Sequence, residues 1–279
     1  MTIIVRRPAP ALGGLVRAIV YQAGEQPRTS VQKILPDPEP SLWVNLNRDG
    51  FRSLGGPGHG RAGQVPGAML AGPRSQALVT EFEAGRAHIW VSFAPGAAPA
   101  FFATPLAAAA DDLVPLAELW GGCGGSLRDR LLTAAVPAQM LQVMEQVLAA
   151  QLAGPVPADL AVNAAAHALR CGVPVGQVAG GLGLLPRTLR RRFTARMGLT
   201  PKRFARVTRL RRVTRALDGQ DRADWAAVAA EHGYCDQSHL IDEFRDLAGL
   251  TPAGYLRSRV DGPNHVRISP AGQSAPAVR

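Results

Sequence analysis

Arg187, Arg190 and Arg191 fall on one side of a stretch, Pro186–Met197, whose other side carries Leu189 and Phe193 at helical spacing. Guanidinium groups displayed this way can pair with the two acceptors on a guanine edge in a major groove, or neutralise phosphates. Arg192 and Arg196 lie off that line and are expected to reach phosphates instead. The following stretch adds Lys202, Arg203, Arg206, Arg209, Arg211, Arg212 and Arg215, so that Pro186–Leu217 holds 12 basic residues and no acid. These later cations surround the whole circumference of a helix, and only some of them can touch one partner. A GC-rich genome inflates arginine across a proteome but does not cluster it. The block therefore points to a polyanion, nucleic acid first. The ordinary alternative is a solvated basic helix.

Other chemistry is poorly supported. The six histidines (His59, His88, His167, His232, His239, His265) make no metal-ligand spacing with one another or with acids. No metal and no cofactor is expected. His59, in P-G-H-G-R, reads as a loop residue. There is no G-x-S-x-G and no Walker sequence, and no catalytic residue is expected. Cys123, Cys171 and Cys235 lack any C-x-x-C, which excludes a disulfide scaffold and fits a reducing cytoplasm. Cys123 is the best candidate for a reactive thiol, but has no basic neighbour in sequence. Gly121–Gly125 reads as a flexible loop.

The elements that position these residues follow from pattern. With 279 residues, two domains are expected. Apolar types make up 47% and charged types 19%, enough for packed cores. No run of 18 apolar residues occurs and the start lacks a leader pattern, so neither a membrane span nor an export signal is expected. The net charge of +10 is uneven. Residues 1–155 hold 12 bases and 11 acids, and residues 156–279 hold 19 and 10.

The first hundred residues read as β-rich, with strands at Leu15–Tyr21, Val31–Leu35, Leu42–Leu46, Leu78–Phe82 and His88–Phe93. Leu54–Gly67 reads as a loop. Short helices are expected at Pro99–Phe102, Leu113–Trp120 and Leu127–Ala135, and a longer one at Pro137–Leu152. The apolar stripe of that last helix serves either a dimer or its own domain. Trp43, Trp90, Phe82, Phe93, Phe101 and Phe102 are core residues or the walls of a ligand pocket. Gly154–Pro157 reads as a linker, and residues 261–279 as a flexible tail.

From Asp159 the chain is helical by pattern and repeats itself with a period of about 50 residues. Val178-Ala179 matches Val228-Ala229, Gly183 matches Gly233, and Leu189 and Phe193 match Leu240 and Phe244. Gly198-Leu199-Thr200-Pro201 recurs as Gly249-Leu250-Thr251-Pro252. The first glycine of each unit sits at a turn between two helices. The second ends a helix, and the Thr-Pro after it caps and starts the next. This is the grammar of two helix-turn-helix units joined by a rod, Pro201–Leu217, about 25 Å long.

The stretches PRTLRRRF, GLTPKRFARVTRLRR and GYCDQSHLIDEFRDLAGLTPAGYLR resemble the DNA-binding domain of the AraC/XylS family of transcriptional regulators over about 100 residues. PSLWVNLNRDGF, MLAGPRSQ and the region from Ile89 to Gly121 are similar to an uncharacterised β-rich domain that precedes it in some AraC-like regulators. The fold expected is thus α+β in two domains. A β-rich, barrel-like (cupin-like) sensing or dimerisation domain with C-terminal helices spans 1–153, and an all-α double helix-turn-helix domain spans 158–260.

The resemblance places Arg187, Arg190 and Arg191 against base edges, with Arg192, Arg196, Lys202 and Arg206 as further DNA contacts. The second reader, Asp236–Ala248, carries Asp236, Asp242, Glu243 and Asp246 against one Arg245. Gln237, Ser238, Ile241 and Asp242 face the groove, Gln237 is suited to adenine, His239 is set toward a phosphate, and Asp236 is free to cap the helix. Family members often have a base where Asp242 stands and a capping Ser where Leu185 stands. The first unit is therefore expected to dominate DNA contact and the second to tune it. The expected partners are double-stranded DNA, then RNA polymerase, a small-molecule effector and a second copy of the chain, with no membrane. The competing readings are a DNA-targeted bifunctional enzyme and a nonspecific architectural protein.

Overall fold

The computed structural model describes residues 2–24, 29–55, 63–82, 85, 87–152, 159–260 and 264–268. The expected linker at Gly154–Pro157, His59 and residues 269–279 lie outside that set. Strands β1 (Thr2–Arg6), β2 (Val16–Ala23), β3 (Ser30–Ile34), β4 (Ser41–Asn45), β5 (Phe51–Gly55), β6 (Gly63–Val65), β7 (Ala68–Ala71), β8 (Leu78–Phe82), β9 (Ala87–Phe93) and β10 (Leu113–Pro115) fill the first part of the chain. Two short strands, β11 (Arg259–Val260) and β12 (His265–Arg267), follow the helices. They form two antiparallel sheets, ordered β1-β2-β9-β4-β7-β10 and β11-β12-β3-β8-β5-β6. The N-terminal domain is therefore β-rich as expected, but its sheets stay open rather than closing a barrel.

The first sheet sorts its side chains by strict alternation. Leu42 and Val44 of β4, and Ile89, Val91 and Phe93 of β9, face a large core. Trp43, His88, Trp90 and Ser92 take the other face, toward the second sheet, where with Ile34 they line a cavity. The large core is covered by α1 (Leu116–Trp120), α2 (Gly122–Gly125), α3 (Leu127–Leu132) and α4 (Pro137–Ala150). Of the apolar stripe expected on α4 (Met140, Val143, Met144, Val147 and Leu148), the last three are fully buried in that core together with Leu141, and Met140 and Val143 pack half-buried against it. The stripe packs on its own domain. Phe101 and Phe102 are core residues, whereas Trp43 and Trp90 are cavity walls.

Four local expectations are corrected. Leu113–Pro115 is a strand, because it pairs with Ala71, Leu70 and Met69 and Pro115 cannot donate a helical hydrogen bond. The Leu54–Gly67 loop gives way at its ends to β5 and β6, paired from Phe51 to Val65. Residues 122–125 form a single helical turn. The segment expected as a tail contributes β12, which pairs with β3 from His265–Ile34 to Arg267–Gln32.

The helical domain comprises α5 (Leu160–Arg170), α6 (Val175–Gly181), α7 (Pro186–Met197), α8 (Pro201–Ala216), α9 (Trp225–Glu231), α10 (Gln237–Ala248) and α11 (Pro252–Ser258). The four repeat glycines carry the backbone the turns require: φ is +63° at Gly183, +76° at Gly233, +79° at Gly198 and +66° at Gly249. Thr200 and Thr251 cap α8 and α11 by accepting from Arg203 N and Gly254 N. Each unit has its own core, Leu189–Phe193–Phe204 in the first and Leu240–Phe244–Tyr255 in the second.

The two domains are joined by more than chain continuity. Ala77 N–H donates to Leu247 O (3.1 Å), Lys33 Nζ donates to Gly249 O (3.0 Å), and Leu35 is buried in the core of the second unit. Arg170 is ion-paired with Glu39.

Candidate nucleic-acid interface

Helix α7 starts without help. Leu185, in the N-cap position, offers no side-chain acceptor, and Pro186 follows it. Its buried stripe of Leu189, Phe193 and Met197 fixes the rotation of the helix, with Phe193 edge-on to Phe204 at 5.2 Å. That rotation leaves Arg187, Arg190 and Arg191 exposed on the far side, around a shallow hollow shared with Thr194 and Thr200. Three cations with no carboxylate of the described residues in reach, on a rigid helix, can donate to base acceptors or phosphate oxygens.

The other arginines of this helix are used within the protein. Arg192 donates through Nε (2.9 Å) and Nη2 (2.7 Å) to both oxygens of Asp159, the N-cap of α5. That hydrogen-bonded pair, helped by the Val162 N–H, holds the Asp159 carboxyl below its ordinary pKa, and raises that of Arg192. Arg196 turns toward the N-terminal domain, where a Cβ on Gly96 would lie 3.6 Å from its Nε.

The rod α8 is likewise mostly spoken for. Arg206 donates to Glu243 (2.9 Å) and Asp246 (2.6 Å). Arg209 donates to both oxygens of Glu243 and to Gly233 O, and its guanidinium stacks 4.4 Å over the Tyr234 ring. Burial beside Glu243 pushes the Tyr234 phenol up, well above its ordinary pKa. Arg211 pairs with Asp37 (3.5 Å) and with Asn264, and Arg212 donates to His232 O. Lys202, Arg203 and Arg215 remain exposed, Arg203 lying 3.9 Å from Asp111. The charge block thus divides between a display on α7 and internal struts on α8. The signal for the struts was an acid, Glu243, beside Phe244 on the apolar stripe of α10.

On α10, Asp236 caps the helix by accepting from His239 N (2.8 Å). Gln237, Ser238 and Asp242 are exposed and Ile241 is half-buried. Asp242 lies 3.5 Å from Arg245 on the same helix. His239 is tied into the turn: its Nδ1 accepts from Cys235 N (3.3 Å) and its ring stands edge-on to Tyr234. The outward face of α10 is therefore polar and acidic where that of α7 is cationic.

Among the described residues, no cluster of His, Cys, Asp and Glu is arranged to hold a metal, and no helix is long and apolar enough to cross a membrane. All three cysteines are free thiols. Cys123 does have a basic neighbour in space, Arg130 Nη1 at 3.7 Å, which sequence proximity concealed.

Residues 178–258 match the family model of a helix-turn-helix domain, and residues 5–115 match that of a domain of unknown function, DUF6597. Among solved structures, the chain is similar to ToxT from Vibrio cholerae O395, with 9% identity, a TM-score of 0.48, and 85% of this chain and 97% of that one covered. It is also similar to an unsaturated-fatty-acid-bound ToxT from Vibrio cholerae strain SCE256, with 8% identity, a TM-score of 0.45, and coverage of 90% and 96%. No curated protein matches the chain. The chain thus carries a helix-turn-helix domain of the AraC type behind a β-rich domain matched by DUF6597, the arrangement of a DNA-binding transcriptional regulator.

Proposed function

We infer that the protein is a sequence-specific regulator in which the first reader, α7, supplies most of the DNA contact and the second, α10, tunes it. The observation that supports this is the contrast between two equivalent helices. One presents Arg187, Arg190 and Arg191 outward, and the other presents Gln237, Ser238 and Asp242. Arginine forks bind guanine and phosphate, whereas a carboxylate is repelled by phosphate and suits only a cytosine amino group. Lys202, Arg203 and Arg215 are available for phosphates beside them. One chain would span two successive grooves, with its readers about 34 Å apart.

The cavity between the two sheets, about 490 Å³, makes the N-terminal domain the seat of a small-molecule effector in this reading. The protein would act in the cytoplasm, on promoter DNA with RNA polymerase as the eventual target, alone or as a homodimer. No catalytic step is assigned to it. The test is selection of DNA from random pools by the purified chain, repeated with Arg190→Ala. The variant should lose about 1–3 kcal/mol and accept any base at one position. Unchanged binding by the variant would remove α7 as the reader.

A further inference from the structure

The cavity between the sheets has a polar end that the fold itself leaves unfinished. Trp43, Trp90 and Ile34 form its apolar wall. At the other end stand Arg74, from the turn after β7, and Arg211, from the rod α8. Arg74 is almost wholly buried, 3% exposed. Its Nε and Nη1 have no hydrogen-bond partner among the described residues. The carboxylates nearby are engaged, apart from one oxygen, the buried Oε2 of Glu39. Asp37 pairs with Arg211 and accepts from Glu39 N, Glu39 pairs with Arg170, and Asp111 accepts from Ser75 N and Oγ. Burial pulls the Arg74 pKa down, and Asp37 and Asp111 offset this only in part. A buried guanidinium with open donors is costly unless something else completes it.

We propose that this cavity binds a small monoanion, a carboxylate on a compact apolar body, with Arg74 as its principal ligand and Arg211 as the group that links it to the rod helix. Arg74 is the buried cation left without a carboxylate partner among the described residues, and Arg17, exposed at the same cavity, adds positive charge, so the site calls for a negative group. The two indoles suit an aromatic or aliphatic body, and the volume falls in the usual range of small-molecule sites, about 300–1,000 Å³. Arg211 links the site to the DNA-binding half, since it lies on α8 and also holds Asn264, next to β12. An anion at Arg74 competes with Asp37 for Arg211, so occupancy is felt at the rod. This proposal rests on the reading of the N-terminal domain as an effector domain.

The test titrates the full chain, without DNA, with 4-phenylbutyrate, 4-phenyl-1-butanol and phenyl phosphate, read by calorimetry and tryptophan fluorescence. The carboxylate should bind about tenfold or more tighter than the alcohol, the scale of a charge-assisted hydrogen bond, and tighter than the phosphate ester. Arg74→Met should lose about tenfold or more of that affinity while melting no lower than the parent. Asp37→Asn, which removes the competing charge, should tighten binding. Alcohol and carboxylate binding alike, phosphate binding tighter, no probe saturating, or an Arg74→Met that keeps affinity or melts lower would each overturn the site. Because the readout is independent of DNA, a chain that binds the carboxylate yet selects no operator would sink the regulator reading and leave the site standing.

Discussion

Arg209 on α8 grips Glu243 on α10 through three hydrogen bonds of 2.7–2.9 Å, and Glu243 is only 6% exposed. Arg206 adds a fourth from one turn earlier. The angle between the rod and the second unit is thus set by a charge cluster as well as by the Leu240–Phe244 core. Glu243→Ala would leave the partly buried Arg209 without its anion and Arg206 with Asp246 alone. We expect it to cost about 3 kcal/mol, toward the lower end for a broken buried pair because the arginines keep some water. Urea unfolding of the parent and variant measures it.

The same cluster limits how many cations reach DNA. If all 12 bases of Pro186–Leu217 met phosphate, log K against log salt would fall with a slope near −11. With Arg192, Arg206, Arg209, Arg211 and Arg212 engaged internally and Arg196 turned to the N-terminal domain, about six remain, and the slope should be about −5. Binding measured from 0.05 to 0.3 M salt on one selected operator decides between them.

Leu185 is 59% exposed at the start of α7 and caps nothing, while Asp236 caps α10. Leu185→Ser should stabilise the protein by about 1 kcal/mol. Thermal melting of the full chain shows it as a rise of a few degrees; an unchanged or lower midpoint would mean that the leucine contributes packing we have not assigned.

Asp159 gives a pH signature. Its folded pKa lies below the unfolded value, with the hydrogen bond from Arg192 as the main cause. The stabilisation is therefore present above about pH 4 and lost as the pH falls below that through the folded pKa. Asp159→Asn keeps a capping oxygen but removes the charge. Its melting point should fall short of the parent's at pH 6 and converge with it toward pH 3.

Much of the helical domain was legible in its letters. The glycine and Thr-Pro repeats dictate left-handed turns and capped starts, and the structure has both at the expected residues. The reach of individual arginines was not, because a charge pattern does not say which partner wins. Arg206 and Arg209 lost their freedom to Glu243, which lies more than 30 residues further along the chain. In the β-rich half, the strands β4 and β9 were visible, but not which face met helices and which a cavity, since that depends on a second sheet. The short strands β1, β6, β10 and β12 were hidden because pairing across long loops, rather than local propensity, forms them.

β12 lies at residues 265–267 and hydrogen-bonds to β3 near residue 32. During synthesis, domains tend to fold in order as they emerge from the ribosome. Here the second sheet can close only after the whole DNA-binding half has been translated. The N-terminal domain therefore reaches its finished form late, and a chain cut short before residue 265 would present an unpaired β3 edge to its neighbours.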